Sequence, residues 1–260
     1  MAESSSENSQ RLSAEEILDL VTTGARDEVH RAPTGLAISG FAAGMSMGLT
    51  ALGVAAILST FGESKGVQFA SAFAYPIGFI AVIIGRSQLF TENTLYPVVL
   101  VLDERRYLWK TLRLWIVVFL GNVIGALVFA LLAVRTAALT PELRQSLIDS
   151  GVRSAHHPGS HLFWSAVIGG WLVALIAWLV AASQWSIAQI GATYLLGFLL
   201  GAGHFTHCIV GSTELLSAIA SGALTPGEYL RWLGLATAGN VLGGITIVSL
   251  LNWGQVTADK

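Results

Sequence analysis

The chain has 260 residues, 53% hydrophobic and only 12% charged, with a formal net charge of −2 and a mean hydropathy of +0.66. That is too little charge for an ordinary soluble domain, so lipid rather than water is the expected main solvent. One cysteine, Cys208, excludes an intramolecular disulfide, and its apolar surroundings suit a quiet buried thiol.

Residues 1–12 are rich in Ser, Glu, Gln and Asn and read as a disordered tail, with no basic start and apolar core of a signal peptide. Ser13 precedes Glu16 by three positions, a capping box that opens an amphipathic helix over 13–32. It is expected on the cytoplasmic face, lying on the membrane, under the bundle or against a neighbouring subunit. Apolar blocks then follow at 34–59, 66–101, 109–134, 161–181, 189–220 and 229–251. Each is long enough to cross a hydrocarbon core of ~30 Å, for which ~20 helical residues suffice. The reading is an all-α polytopic membrane protein with six transmembrane helices: a first three-helix repeat at 33–134, an external loop at 135–160 with a short helix at 142–149, a second repeat at 161–252 and a tail at 253–260. Arg105, Arg106, Lys110 and Arg113 crowd the loop between spans two and three, which puts that loop and both termini in the cytoplasm of a cell with an inner membrane. His156, His157 and His161 then fall outside. An interfacial loop accounts for them without a metal.

Two halves resemble each other. Gly121-Asn122-Val123-Ile124-Gly125 in span three returns as Gly239-Asn240-Val241-Leu242-Gly243 in span six, and Gly78-Phe79-Ile80 in span two returns as Gly197-Phe198-Leu199 in span five. Three spans per half is an odd number, so the second half is inverted, as in many transport proteins. The glycines suit close helix packing. The two asparagines suit either cross-helix bonding or contact with a permeating solute. Spans two and five carry interruptions, at Tyr75-Pro76-Ile77-Gly78 and Gly85-Arg86-Ser87-Gln88 in one and around Gly197 and Gly201-Ala202-Gly203-His204 in the other. Broken backbone at membrane depth must line protein or a water-filled path, and exposed helix N-termini there favour an anion.

Ionisable residues inside apolar spans are costly and are functional candidates by default. Here they are Arg86, Glu92, His204, His207 and Glu214. Arg86 is expected to pair with Glu92 or Glu214, clamping the broken helices. His207 is the proton-handling candidate, because imidazole switches near neutral pH. No nucleotide loop, metal quartet or activated nucleophile is present, so neither an enzyme nor a cofactor is expected.

The Gly-x-x-x-Leu-Phe-Thr element at 85–91, the Phe-x-His element at 205–207 and the two Gly-Asn-x-x-Gly elements resemble those of the formate/nitrite transporter family over about residues 13 to 252. The resemblance implies an aquaporin-like subunit with helices two and five interrupted, a pore in each subunit, a homopentamer in the lipid bilayer, and passage of small monovalent anions with proton coupling in some members. It assigns Leu89, Phe90 and Thr91 to the interrupted segment, His207 to the pore centre with Thr91 as its hydroxyl partner, and Tyr75, Phe79 and Leu200 to constrictions. Arg86, Ser87, Gln88, Glu92 and His204 depart from the family's usual small or acidic residues. Two rivals stand beside this reading: a channel for a neutral solute such as water, glycerol or ammonia, and a non-conducting scaffold or sensor.

Overall fold

The computed structural model describes residues 12–258. Most of the expected N-terminal tail and residues 259–260 lie outside that range. Among the described residues the chain is helical throughout, with no strand.

Helix α1 (Ala14–His30) opens on the capping box, in which the Ser13 N–H donates to the Glu16 carboxylate at 2.6 Å and the Glu16 N–H to the Ser13 hydroxyl. These bonds satisfy backbone donors that a helix start leaves open. The apolar face of α1, with Leu18, Val21, Ala25 and Val29, is buried. Of the three surfaces offered by its amphipathic pattern, the structure selects the underside of the bundle. There Leu18 and Val21 join Val99, Trp178 and Val256 in one cluster, and Arg26 pairs with Glu104 at 2.5 Å.

Helices α2 (Pro33–Phe61), α3 (Lys65–Ser71) and α4 (Pro76–Ile84) follow. The junction at 72–75 is a tightening rather than a gap, because Phe73, Ala74, Tyr75 and Ile77 all bond three residues back. An irregular stretch then leads through a 3₁₀ turn at Glu92–Thr94 into α5 (Tyr96–Glu104) and α6 (Leu108–Arg135). Helix α7 (Pro141–Ala155) fills the expected loop at 135–160 and is longer than the short helix expected there. It buries Leu147 and Ile148 and brings Gly151 against the backbone of Glu214, so this segment is part of the core. Helices α8 (Gly159–Ala181), α9 (Ser186–Ala202), α10 (Cys208–Ser221) and α11 (Pro226–Gly243) complete the bundle, and α11 runs through a π-helical stretch at Gly244–Leu250 into α12 (Leu251–Thr257).

Among the described residues, five helical segments are long and apolar enough to cross a membrane: Pro33–Phe61, Lys65–Ile84, Leu108–Arg135, Gly159–Ala181 and Pro226–Thr257. The apolar block at 189–220 is instead divided between α9 and α10. Close packing of α2 on α6, and of α8 on α11, depends on glycine. A β-carbon at Gly44 would strike the Asn122 carbonyl, and one at Gly125 the Phe41 carbonyl. In the other pair a β-carbon at Gly170 would strike the Asn240 carbonyl, and one at Gly243 that of Val167. Gly121 and Gly239 face the same two partners. Gly197 lies within regular α9, packed on Pro76, so the only departure from helix in this part of the chain is at Gly203–His207.

Candidate functional site

Two backbone breaks meet at the centre of the bundle. The first follows α4. Gly85 N–H bonds to Ala81 O, Ser87 N–H to Val82 O at 3.0 Å, and Arg86 between them is left-handed with φ 57°. The second follows α9 with the same pattern, Gly203 N–H to Leu199 O and Phe205 N–H to Leu200 O at 3.0 Å, with His204 left-handed at φ 51°.

Each break is held by one asparagine. Asn122 on α6 accepts the Phe90 N–H at 2.8 Å and donates to the carbonyls of Gly40 and Gln88 at 2.7 and 2.9 Å. Asn240 on α11 accepts the Cys208 N–H at 2.8 Å and donates to the carbonyls of Ala166 and Thr206 at 2.7 and 2.9 Å. Of each side chain's two amide protons, one goes to a carbonyl of the break, which has no helical partner, and the other to a carbonyl of the facing helix, Gly40 on α2 or Ala166 on α8. Of the two roles the sequence left open for these residues, the geometry selects bonding across helices. A serine from each first helix adds to the support, with Ser39 accepting the Gln88 N–H and Ser165 the Thr206 N–H. Sequence reasoning missed both serines, although they occupy matching places in Ile38-Ser39-Gly40-Phe41 and Trp164-Ser165-Ala166-Val167.

Between the breaks, Thr91 Oγ1 stands 2.7 Å from His207 Nε2, and both residues are essentially inaccessible, at 0% and 2% exposure. His207 caps α10, its Nδ1 accepting the Val210 N–H at 3.1 Å. A ring nitrogen that accepts carries no proton, so the proton of the neutral ring is on Nε2 and is donated to Thr91. The Thr91 hydroxyl keeps a proton of its own to give away. Val210 was not foreseen, and the only sequence signal for it is its place three residues into the helix that His207 caps.

On the α7 side a cavity of about 820 Å³ opens toward this pair, and His207, Tyr75 and Glu214 are among the residues that line it. Tyr75 stacks on Phe79 with centroids 6.0 Å apart, and Phe79 meets the His207 ring edge-on at 5.1 Å. Leu89 and Leu200 are fully buried. Phe90 is also buried but packs against Trp115 and Phe119 on α6.

The remaining charged candidates behave differently from expectation. Among the described residues Arg86 forms no ion pair, and Glu92 and Glu214 accept no side-chain bond. Arg86 and His204 are exposed rather than buried within spans, because each occupies the left-handed bend where the chain leaves its helix. Glu92 and Glu214 are partly buried.

Comparison with known proteins agrees with this architecture. The "FNT family ion channel" superposes with a TM-score of 0.84 at 21% identity, covering 93% of this chain and 99% of that one. A pentameric formate channel with formate bound superposes with a TM-score of 0.72 at 18% identity, covering 86% and 97%. The inner membrane protein YfdC of Escherichia coli (strain K12) is 32% identical over 235 residues, which is 89% of this chain and 75% of YfdC. The family model described as formate/nitrite transporter matches residues 15–254, and the chain belongs to that family.

Proposed function

We propose that the protein conducts small monovalent anions of weak acids, such as formate or nitrite, through a pore in each subunit of a homopentamer in the inner membrane. The observation that carries this reading is the buried Thr91–His207 pair between two backbone breaks. The pentameric formate channel, whose fold this chain shares, supports both the assembly and the class of solute. An unpaired anion in so dry a centre would cost several kcal/mol or more. Thr91, oriented by His207, offers it a proton. When Thr91 gives its proton to the anion and takes the Nε2–H of His207 in return, a proton from the solution in the α7-side cavity, which His207 lines, replaces it at Nδ1, with transient release of the Val210 N–H. Tyr75, Phe79, Leu89 and Leu200 serve as the apolar constriction around the pair, and Phe90 as its wall.

In this reading six elements cross the membrane, α9 and α10 together forming the fifth. The second and fifth are interrupted, and the halves at 33–134 and 161–252 are an inverted repeat whose matching hydrogen bonds are those of Asn122 and Asn240. Helix α1 and both termini lie in the cytoplasm, with α7 outside. The reading is tested by flux of formate, nitrite, acetate and hydrosulfide into proteoliposomes, beside osmotic swelling in glycerol. Anion flux that falls with His207→Asn supports it. Swelling without anion flux makes the protein a neutral-solute channel, and no permeation of either kind makes it a scaffold.

A further inference from the structure

The two breaks are alike in backbone and unlike in charge. Arg86 and His204 occupy matching left-handed positions, a conformation that costs a side-chain-bearing residue about 1 kcal/mol or more and that glycine adopts freely. Each break therefore keeps a cationic or titratable side chain where glycine is the easier choice. Both residues are exposed. They lie at opposite mouths: the loop bearing Arg86 bonds to Ser39 near the start of α2, whereas His204 lines the cavity on the α7 side.

His204 has company in that cavity. His157 and His161 line it too, with rings 5.0 Å apart, and His156 stands at its rim, its Nδ1–H donated to the Val152 carbonyl at 2.7 Å. The other charged groups around them nearly balance. From α7, Arg153 points in but is paired to Glu63 at 2.8 Å. From α10 comes Glu214. From α11 come Glu228, close enough to His156 for their charges to interact, and Arg231, its guanidinium beside Gly159. Tyr75 and His207 also line the cavity; Tyr75 is neutral across the acid range, and both ring nitrogens of His207 are engaged by Val210 and Thr91. With two cations set against three carboxylates, the mouth gains positive charge as its imidazoles take up protons.

We propose that His204, with His157 and His161 beside it, is an acid-switched anion-capture site at the α7 mouth, matched across the dry centre by the permanently charged Arg86. Acidification of the α7 side turns that mouth cationic and speeds entry of a monovalent anion from that side, while the Arg86 mouth attracts anions at any pH. Charge of one sign lining a cleft raises local counter-ion concentration and on-rate by tenfold or more. Partial burial, and then the neighbouring His161 and His204, hold His157 below the usual histidine range, so the switch belongs to the acid side of neutrality. The proposal rests on the reading of the protein as an anion channel.

Formate flux into proteoliposomes is the test, with wild type, His157→Gln/His161→Gln/His204→Gln, His204→Arg and Arg86→Gln each at pH 5 and 7.5. The wild-type-to-triple-variant flux ratio is expected to be about fivefold greater at pH 5 than at 7.5. His204→Arg is expected to raise flux at pH 7.5 above wild type, and Arg86→Gln to lower flux by the same factor at both pH values. If the triple variant does not assemble, His204→Gln alone, at an exposed position, gives the same comparison. A ratio that does not change with pH, in a wild type that conducts formate, overturns this inference alone. A wild type that conducts none of the anions at either pH overturns the channel reading with it.

Discussion

His207 takes the Val210 amide on Nδ1 and so presents Nε2–H to the Thr91 hydroxyl at 2.7 Å, across 116 residues of sequence. The tautomer of the central imidazole is thus set by the helix that His207 caps. The ring is neutral in this state, and the Thr91 hydroxyl keeps a proton of its own to donate.

Thr91→Val removes that hydroxyl while keeping the shape of the side chain. Formate flux in proteoliposomes is expected to fall by about tenfold or more, consistent with the 10²–10⁴-fold scale of positioned proton transfer. Thr91→Ser keeps the hydroxyl and is expected to retain most of the flux. Equal losses in the two variants would show that packing, not the hydroxyl, matters at this position.

Asn122→Ala and Asn240→Ala each leave one amide N–H and one carbonyl of a break without their partner. At about 1–3 kcal/mol for each unsatisfied buried group, a loss of roughly 2–6 kcal/mol is expected. Thermal unfolding in detergent measures it, and the two variants should lose similar amounts because their bonds match. Asn122 reaches Phe90 across 32 residues and Gln88 across 34; Asn240 reaches Cys208 and Thr206 across the same separations.

Glycines on one helix are expected to differ. A β-carbon at Gly243 has no room against the Val167 carbonyl, whereas one at Gly234 meets nothing within 4 Å. Gly243→Ala should destabilise by about 1–3 kcal/mol through overpacking. Gly234→Ala should be neutral or stabilise by up to about 1 kcal/mol, as alanine is the better helix former. Melting temperatures of the two variants give the comparison.

Docking of α1 is expected to weaken in acid. Hydrogen bonding from Arg26, and then from Arg106, holds the Glu104 carboxyl below its ordinary range. A depressed folded value means that the contribution is fully present above the ordinary carboxylate pKa and is lost as pH falls through the lowered one. Hydrogen exchange of α1 amides should therefore quicken, once corrected for the intrinsic pH effect, only below about pH 4. Glu104→Gln should show the faster exchange already at pH 7. The pair is exposed, so the effect is small.

Much of this architecture was legible because lipid imposes simple rules. Long apolar runs located most helices, and the repeated Gly-Asn-x-x-Gly elements located the two braces. What escaped was set by tertiary contact. The irregularity at Tyr75-Pro76 looks like a break in sequence, yet three-residue bonds carry the helix through it. The segment at 135–160 looks like a loop because Arg144, Asp149 and Arg153 dilute its apolar residues, although Leu147 and Ile148 bury one face of α7. Arg86 was expected to seek a carboxylate. That expectation took it to be buried, and a left-handed bend carries its side chain out to a mouth where no partner is needed.

The central claim is that an anion crosses with a proton handed over at Thr91 and His207. Its most direct test loads proteoliposomes with a pH-sensitive dye, imposes a formate gradient, and records proton and formate entry together. The account predicts one proton per formate in the wild type and loss of both fluxes in His207→Asn. Formate entry without accompanying protons, or undiminished entry in His207→Asn, would contradict it.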